Sequence, residues 1–156
     1  MKSHVFETEQ WVPAALERAF GFFSDAANLE LMTPPFLSFK ILTPLPIEMR
    51  EGALIEYRLR INGAPVRWLT RIDEWFPGRA FTDTQLRGPY ARWVHRHMFE
   101  SRDGGTQVRD RVDYALPLDP FSRPVHALLV RPAIERIFDY RREVIARVLR
   151  HPAARA

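Results

Sequence analysis

Apolar and polar positions along the chain repeat with the two periods that separate strands from helices. From His4 to Val12, Val5, Glu7, Glu9 and Trp11 alternate with Phe6, Thr8 and Gln10, which predicts a first strand. Pro13 suits a helix start, and Leu16, Phe20 and Phe23 then recur at helical spacing. A second short helix is predicted around Asn28 to Met32, capped by Asp25 or Asn28 and stopped by Thr33-Pro34-Pro35. The pattern then changes to strands, expected at residues 36–42, 53–61, 65–75, 79–86, 92–100 and 106–116. Asn62-Gly63, Pro77-Gly78 and Asp103-Gly104-Gly105 supply turns between them. After Leu116-Pro117 the character is helical, with Ser122 as a candidate cap. Residues 133–149 carry Ile134, Ile137, Phe138, Ile145 and Val148 on one stripe. Pro132 is expected to break or kink this helix or to start it, because it lacks an N–H and disfavours α geometry at Arg131.

A single antiparallel sheet of about six or seven strands curls, and a long amphipathic helix can lie across its concave face. Space left between the two becomes a cavity lined by alternate residues of the strands. The expected architecture is therefore α+β, one domain over residues 1–156, with two short helices after the first strand.

The stretch at residues 92–100 concentrates the candidate chemistry. One face carries Trp93, His95, His97 and Phe99, the other Arg92, Val94, Arg96, Met98 and Glu100. If the aromatic face points inward, two imidazoles enter an apolar interior and need partners there. A two-residue turn at Asp103-Gly104 would set His97 opposite Asp110 and Trp93 opposite Tyr114. A turn at Gly104-Gly105 would set His97 opposite Val112 and His95 opposite Tyr114. Outer-face charges favour the second register, which pairs Glu100 with Arg109 and Arg96 with Asp113 rather than Arg96 with Arg111. On the preceding strand, Phe81 argues that Phe81, Asp83 and Gln85 face inward together. The expected polar group is His95, His97, Asp110 and Tyr114, joined by Asp83, Gln85 and Thr70, with Ile55, Tyr57, Trp68, Ile134 and Phe138 as apolar wall.

Three uses of this cluster stay open: a satisfied buried network, recognition of the polar end of an apolar ligand, and acid–base catalysis in which Asp110 orients His97. His-x-His on a strand also has a spacing that zinc sites use, with Asp110 as a third donor. Such a trio arises readily without an ion, and the expectation is no metal and no cofactor. No Gly-x-Ser-x-Gly elbow and no Gly-rich phosphate loop is present.

Composition narrows the classes further. Across 156 residues, 46% are hydrophobic, enough for one core. The absence of Cys excludes disulfides, thiolate zinc sites and a cysteine nucleophile. No apolar run reaches membrane-spanning length and no signal-peptide core is evident, so a cytoplasmic location is expected. The net charge of +4 comes from arginines spread along the chain, which argues against nucleic-acid binding. Only the stretch from Arg131 through Arg155 is persistently basic.

The order of elements resembles the helix-grip fold of the START and polyketide-cyclase-like (SRPBCC) superfamily. The resemblance spans the chain and is sharpest over residues 81–100 (Phe-Thr-Asp-Thr-Gln-Leu-Arg-Gly-Pro-Tyr-Ala-Arg-Trp-Val-His-Arg-His-Met-Phe-Glu), residues 110–117 (Asp-Arg-Val-Asp-Tyr-Ala-Leu-Pro) and residues 131–142. These segments are similar to a bacterial ligand-binding, cyclase/dehydrase-like branch. The resemblance implies a hydrophobic cavity under the long helix, in a superfamily of lipid and sterol carriers, plant hormone receptors and aromatase/cyclases. No motif specific to the aromatase/cyclase reaction and no iron-binding pattern of oxygenase relatives is present. The expected function is binding of a small hydrophobic molecule (lipid, sterol or polyketide-like). The alternatives are a cyclase, dehydratase or hydrolase using His97 with Asp110, and an interaction module whose basic C-terminal region docks a partner. An exposed sheet edge leaves a homodimer open.

Overall fold

The computed structural model describes residues 1–150; the end of the basic stretch, including Arg155, lies outside them. Alternation along β1 (His4–Val12) sorts its residues cleanly, with His4, Phe6, Thr8 and Gln10 turned in and Val5, Glu7, Glu9 and Trp11 exposed. Helix α1 (Leu16–Ser24) buries Ala19, Phe20 and Phe23. Asp25 then accepts a hydrogen bond from the Ala27 N–H at 3.0 Å, which caps the next helical turn before α2 (Leu29–Met32). The strand expected at residues 36–42 shrinks to β2 (Lys40–Ile41). Pro35–Leu37 winds into a single turn and Ser38 adopts a left-handed conformation (φ 47°), so neither can extend the strand.

Strands β3 (Leu54–Ile61), β4 (Ala64–Phe76), β5 (Ala80–Arg87), β6 (Arg92–Arg102) and β7 (Gly105–Ala115) follow as a meander. All seven strands form one curved antiparallel sheet in the order β1-β7-β6-β5-β4-β3-β2. The first strand thus returns beside the last. The predicted inner faces hold: Ile55 and Leu59 on β3, and Trp68, Thr70 and Ile72 on β4, are buried.

The register of β6 against β7 is not the one favoured by the outer charges. Asp103 (φ 52°) and Gly104 (φ 75°) form the two-residue turn, so His97 pairs with Asp110, His95 with Val112 and Trp93 with Tyr114. Two consecutive left-handed residues match the natural strand twist, and Asp-Gly suits them. The cost of placing Arg96 opposite Arg111 is removed from the other side. Arg111 reaches across to Glu7 on β1 at 2.8 Å and to Asp113 at 3.1 Å, and Arg109 reaches Glu9 at 3.3 Å.

The C-terminal helix runs without a break through Arg123–Val125, His126–Val130 and Arg131–Val148. Pro132 neither splits nor ends it. The middle segment is π-helical, with the Arg131 N–H bonding the His126 carbonyl, and this wider turn accommodates a residue that has no N–H of its own. The helix crosses the concave face and anchors at two places. Ile134 and Phe138 pack on Val112 and Tyr114, while Val144, Ile145 and Leu149 join Phe20, Phe23, Phe99 and Val108. Each such aliphatic side chain contributes roughly 1.5–3 kcal/mol when fully buried, so packing holds the helix in place. Among the described residues no helix is long and apolar enough to cross a membrane.

The close approach of the β6–β7 turn to β1 yields a stability test. A methyl group at Gly105 would collide with the Val12 carbonyl and sit 2.6 Å from the Trp11 ring, whereas Gly21 on α1 faces open space. Gly105→Ala is expected to lower stability by about 1–3 kcal/mol. Gly21→Ala is expected to raise it by about 0.5–1 kcal/mol. Urea unfolding midpoints read both, and a Gly105→Ala midpoint equal to the parent's would contradict the packing described.

Candidate functional site

Strand β6 carries His95 and His97 two residues apart, so pleating turns both rings to the inner face. Their centroids lie 3.8 Å apart and both residues are buried. The flanking strands each supply one carboxylate: Asp83 on β5 stands opposite His95, and Asp110 on β7 stands opposite His97. The hydrogen bonds run along the diagonals. His95 Nε2 donates to Asp110 Oδ1 at 2.8 Å, and His97 Nε2 donates to Asp83 Oδ2 at 2.7 Å. Ionised carboxylates only accept, which places a hydrogen on each Nε2.

The second nitrogen of each ring differs. His97 Nδ1 lies 3.1 Å from Asp110 Oδ1, close enough to feel its charge, but off the line needed for a hydrogen bond, so this buried nitrogen has no such partner. His95 Nδ1 is 3.8 Å from Asp83 Oδ2, beyond hydrogen-bonding range. Phe81 stacks on the His97 ring at 4.1 Å and shields it.

These surroundings push the four groups in different directions. For Asp110, burial acts to raise the pKa, but the His95 hydrogen bond and the close approach and charge of both histidines prevail and hold it far below the usual carboxylate range. Asp83 is lowered in the same way, burial being outweighed first by the His97 hydrogen bond. For His95, burial and the neighbouring His97 charge lower the pKa despite both carboxylates. For His97, burial is overcome by Asp110 and Asp83 and the pKa is raised. The surroundings therefore bias the two imidazoles in opposite directions, His95 toward its neutral form and His97 toward its charged form.

Asp83, His95 and His97 of this cluster floor one side of a cavity of about 140 Å³ between the sheet, the first helices and the C-terminal helix. Ile55, Tyr57, Trp68, Thr70 and Ile72 line it from β3 and β4, and Phe23, Ala26 and Leu29 from the helical segment after β1. Tyr57 stacks on Trp68 at 5.8 Å, and Trp93 meets Trp68 edge-on at 5.4 Å. Burial raises the Tyr57 hydroxyl well above its ordinary value and keeps it neutral. The C-terminal helix adds Arg141, whose guanidinium lies 5.4 Å over the Phe138 ring and whose charge helps hold Asp83 ionised.

Residues 12–154 match the family described as "Polyketide cyclase / dehydrase and lipid transport". The chain belongs to this family. No curated protein matches it. Among solved structures, a Thermus thermophilus protein is 19% identical, with a TM-score of 0.70 over 93% of this chain and 99% of that one. The ZhuI aromatase/cyclase of a Streptomyces species is 17% identical, with a TM-score of 0.67 over 94% and 96%. A START superfamily protein from Mycobacterium smegmatis is 14% identical, with a TM-score of 0.68 over 93% and 99%. At these identities the likeness establishes the helix-grip fold alone.

Of the residues singled out in the sequence, Tyr57, Trp68, Thr70, Asp83, Trp93, His95 and His97 meet around the cavity of this family member, with Ile55 beside them. Others stand outside its lining. Asp110 lies behind the histidines and, with Phe138, borders a separate gap of about 10 Å³. Tyr114 turns away, its hydroxyl 2.7 Å from His126 Nε2, where His126 also stacks on His4 at 3.7 Å. Ile134 packs in the same cluster as Tyr114. Gln85 folds back on the β5–β6 connection, its side chain bonding the Tyr90 carbonyl at 2.8 Å and the Tyr90 N–H at 3.2 Å. Arg141 was missed, although its place among Ile134, Phe138 and Ile145 at helical spacing puts a cation on the apolar stripe.

The opposed shifts can be read by two-bond proton–nitrogen NMR of the imidazoles in the metal-free protein. Near pH 6.5, His97 should show two protonated nitrogens and His95 the neutral Nε2–H tautomer. His97 should titrate above the ordinary histidine value of about 6.5 and His95 below it. The carboxylates titrate lower folded than unfolded, so their stabilising contribution is full above about pH 4 and fades as pH falls further. A shared, unshifted titration of both rings would contradict the arrangement.

Proposed function

We infer that the protein binds a small, largely apolar molecule with one polar end, seated among the aromatic walls with that end on the His95–His97–Asp83 floor. The observation that carries this reading is the cavity itself: a concave, mostly apolar space with a few convergent polar groups at one side is the usual form of a ligand site. Its volume favours a compact occupant. A cavity of roughly 150 Å³ takes a single benzene ring, so a one-ring or short-chain compound suits about 140 Å³ better than a sterol. The imidazolium of His97 and the guanidinium of Arg141 suit a carbonyl, phenolate or carboxylate oxygen, while His95 Nδ1 offers an acceptor to a hydroxyl. The family's lipid-transport and cyclase/dehydrase members, and the aromatase/cyclase among the structural neighbours, support an apolar or polyketide-like ligand class.

A second reading rests on the side-by-side setting of two differently protonated imidazoles. A base at His95 Nδ1 next to an acid at His97 Nε2–H is what aldol-type cyclisation followed by dehydration requires. Asp110 then acts by orienting both rings from behind, rather than serving His97 alone.

Trp68 and Trp93 line the cavity, so their fluorescence reports occupancy. Titration with small aryl ketones and phenols should give saturable quenching, while a sterol of the same solubility range should not. Thr70→Leu, which adds bulk inside the wall, should weaken binding at least tenfold and keep the native circular dichroism spectrum. Absence of saturable quenching by every compact probe, or unchanged affinity in Thr70→Leu, would remove this reading.

A further inference from the structure

We propose that Asp83, His95 and His97 form a site for one divalent ion of the zinc class at the cavity floor. The donor atoms are Asp83 Oδ2, His95 Nδ1 and His97 Nε2. All lie within 4.8 Å of one another. The carboxylate oxygen is 2.7 Å from His97 Nε2 and 3.8 Å from His95 Nδ1. Zinc–nitrogen and zinc–oxygen bonds of about 2.0–2.1 Å set tetrahedral donor–donor edges of roughly 3.4 Å. The two edges that involve Asp83 bracket that value, and the edge between the ring nitrogens is within 4.8 Å, so closing around one centre takes a rotation of the Asp83 carboxylate together with a small tilt of the rings.

The second observation is independent of those distances and concerns the backs of the rings. An imidazole that ligates a metal donates its other N–H to a carboxylate or carbonyl, which orients the ring and raises its basicity. Asp110 is placed to do this for both histidines at once. Its Oδ1 is 2.8 Å from His95 Nε2 and 3.1 Å from His97 Nδ1, the two nitrogens that face away from Asp83. The buried His97 Nδ1 lacks a properly aligned partner while Nε2 is spent on Asp83. An ion that took over Nε2 would displace its hydrogen and leave the ring's remaining one on Nδ1, 3.1 Å from Asp110 Oδ1, where a small turn of the ring aligns it.

Charge and access agree with this assignment. Two carboxylates flank the imidazoles, so a dication with neutral histidines leaves the cluster electrically balanced. Three protein donors leave a fourth position open, as at zinc sites that take a substrate or water. Asp83, His95 and His97 all line the cavity, so that position opens toward the proposed ligand. Two imidazoles and one carboxylate select zinc, cobalt or iron over magnesium or calcium. Among the described residues the other imidazole pair, His4 and His126, is not grouped with a third ligating side chain, and His126 Nε2 pairs with the Tyr114 hydroxyl.

The inference does not rest on the apolar-ligand reading, and ion binding is measured with no organic ligand present. Chelator-treated full-length protein is titrated with Co(II), read by d–d absorption, and separately with Zn(II), read by elemental analysis after gel filtration. One equivalent per chain is expected, with d–d bands of four- or five-coordinate geometry. His97→Gln and Asp83→Asn should each abolish the bands, and Asp110→Asn should weaken binding by about 10–100-fold. His4→Gln should leave binding unchanged. Asp83 is the least buried ligand, so Asp83→Asn decides the matter if a histidine variant fails to fold. No Co(II) bands in the parent protein, or equal stoichiometric binding in Asp83→Asn, would overturn the proposal while leaving the apolar cavity open to its own test.

Discussion

The interior of this protein depends on how two adjacent imidazoles are kept in a dry environment. Neither His95 nor His97 could be buried on an apolar face without partners, because an unpaired buried polar group costs on the order of 1–3 kcal/mol. The solution spans three strands. Asp83 on β5, the histidines on β6 and Asp110 on β7 form one continuous polar band across the concave face, joined by diagonal hydrogen bonds of 2.7 and 2.8 Å. Slippage of either neighbouring strand by one residue would turn its carboxylate to solvent and strand a histidine. The band therefore ties together the register of β5, β6 and β7.

Around this band the sheet and the C-terminal helix divide the interior unequally. On the β1–β7 side the helix packs directly, with Phe138 against Val112 and Tyr114, and Ile145 and Leu149 against α1, Phe99 and Val108. Toward β3 and β4 the wall is made of large aromatic side chains, Tyr57 stacked on Trp68 and Trp93 of β6 set edge-on to Trp68, which contact one another rather than fill the centre. The cavity is the space left over, and the polar band lies at the boundary between packed and open halves. Asp110 faces the packed side and Asp83 the open side, so one carboxylate supports the rings from behind and the other borders the cavity.

Much of the candidate site was legible along the chain. Period-2 alternation placed Trp93, His95, His97 and Phe99 on one face, and the hydrophobic ring of Phe81 correctly turned Asp83 inward. What failed was any inference that needed a third element. The outer charges of β6 and β7 were matched to each other, although β1 lies on the far side of β7 and supplies Glu7 and Glu9 to Arg111 and Arg109. Tyr114 shares the histidine face as expected, yet His126 on the C-terminal helix draws its hydroxyl away. Gln85 also alternates inward, but a nearby loop offers its amide two backbone bonds. Alternation specifies a face. It does not specify which neighbour on that face a side chain will reach.

The sequence by itself determined the class of fold, the meander, the amphipathic helix and the inward course of the two histidines, because each follows from spacing within one segment. Tertiary structure decided the rest: the diagonal pairing of each histidine with the farther carboxylate, the arrival of Arg141 at the cavity, the π-helical turn that carries Pro132, and the volume left open. Those depend on distances between segments far apart in the chain, which the curl of the sheet and the lie of the helix set together. The partners of a buried charge are chosen by which strands and helices come to lie beside it.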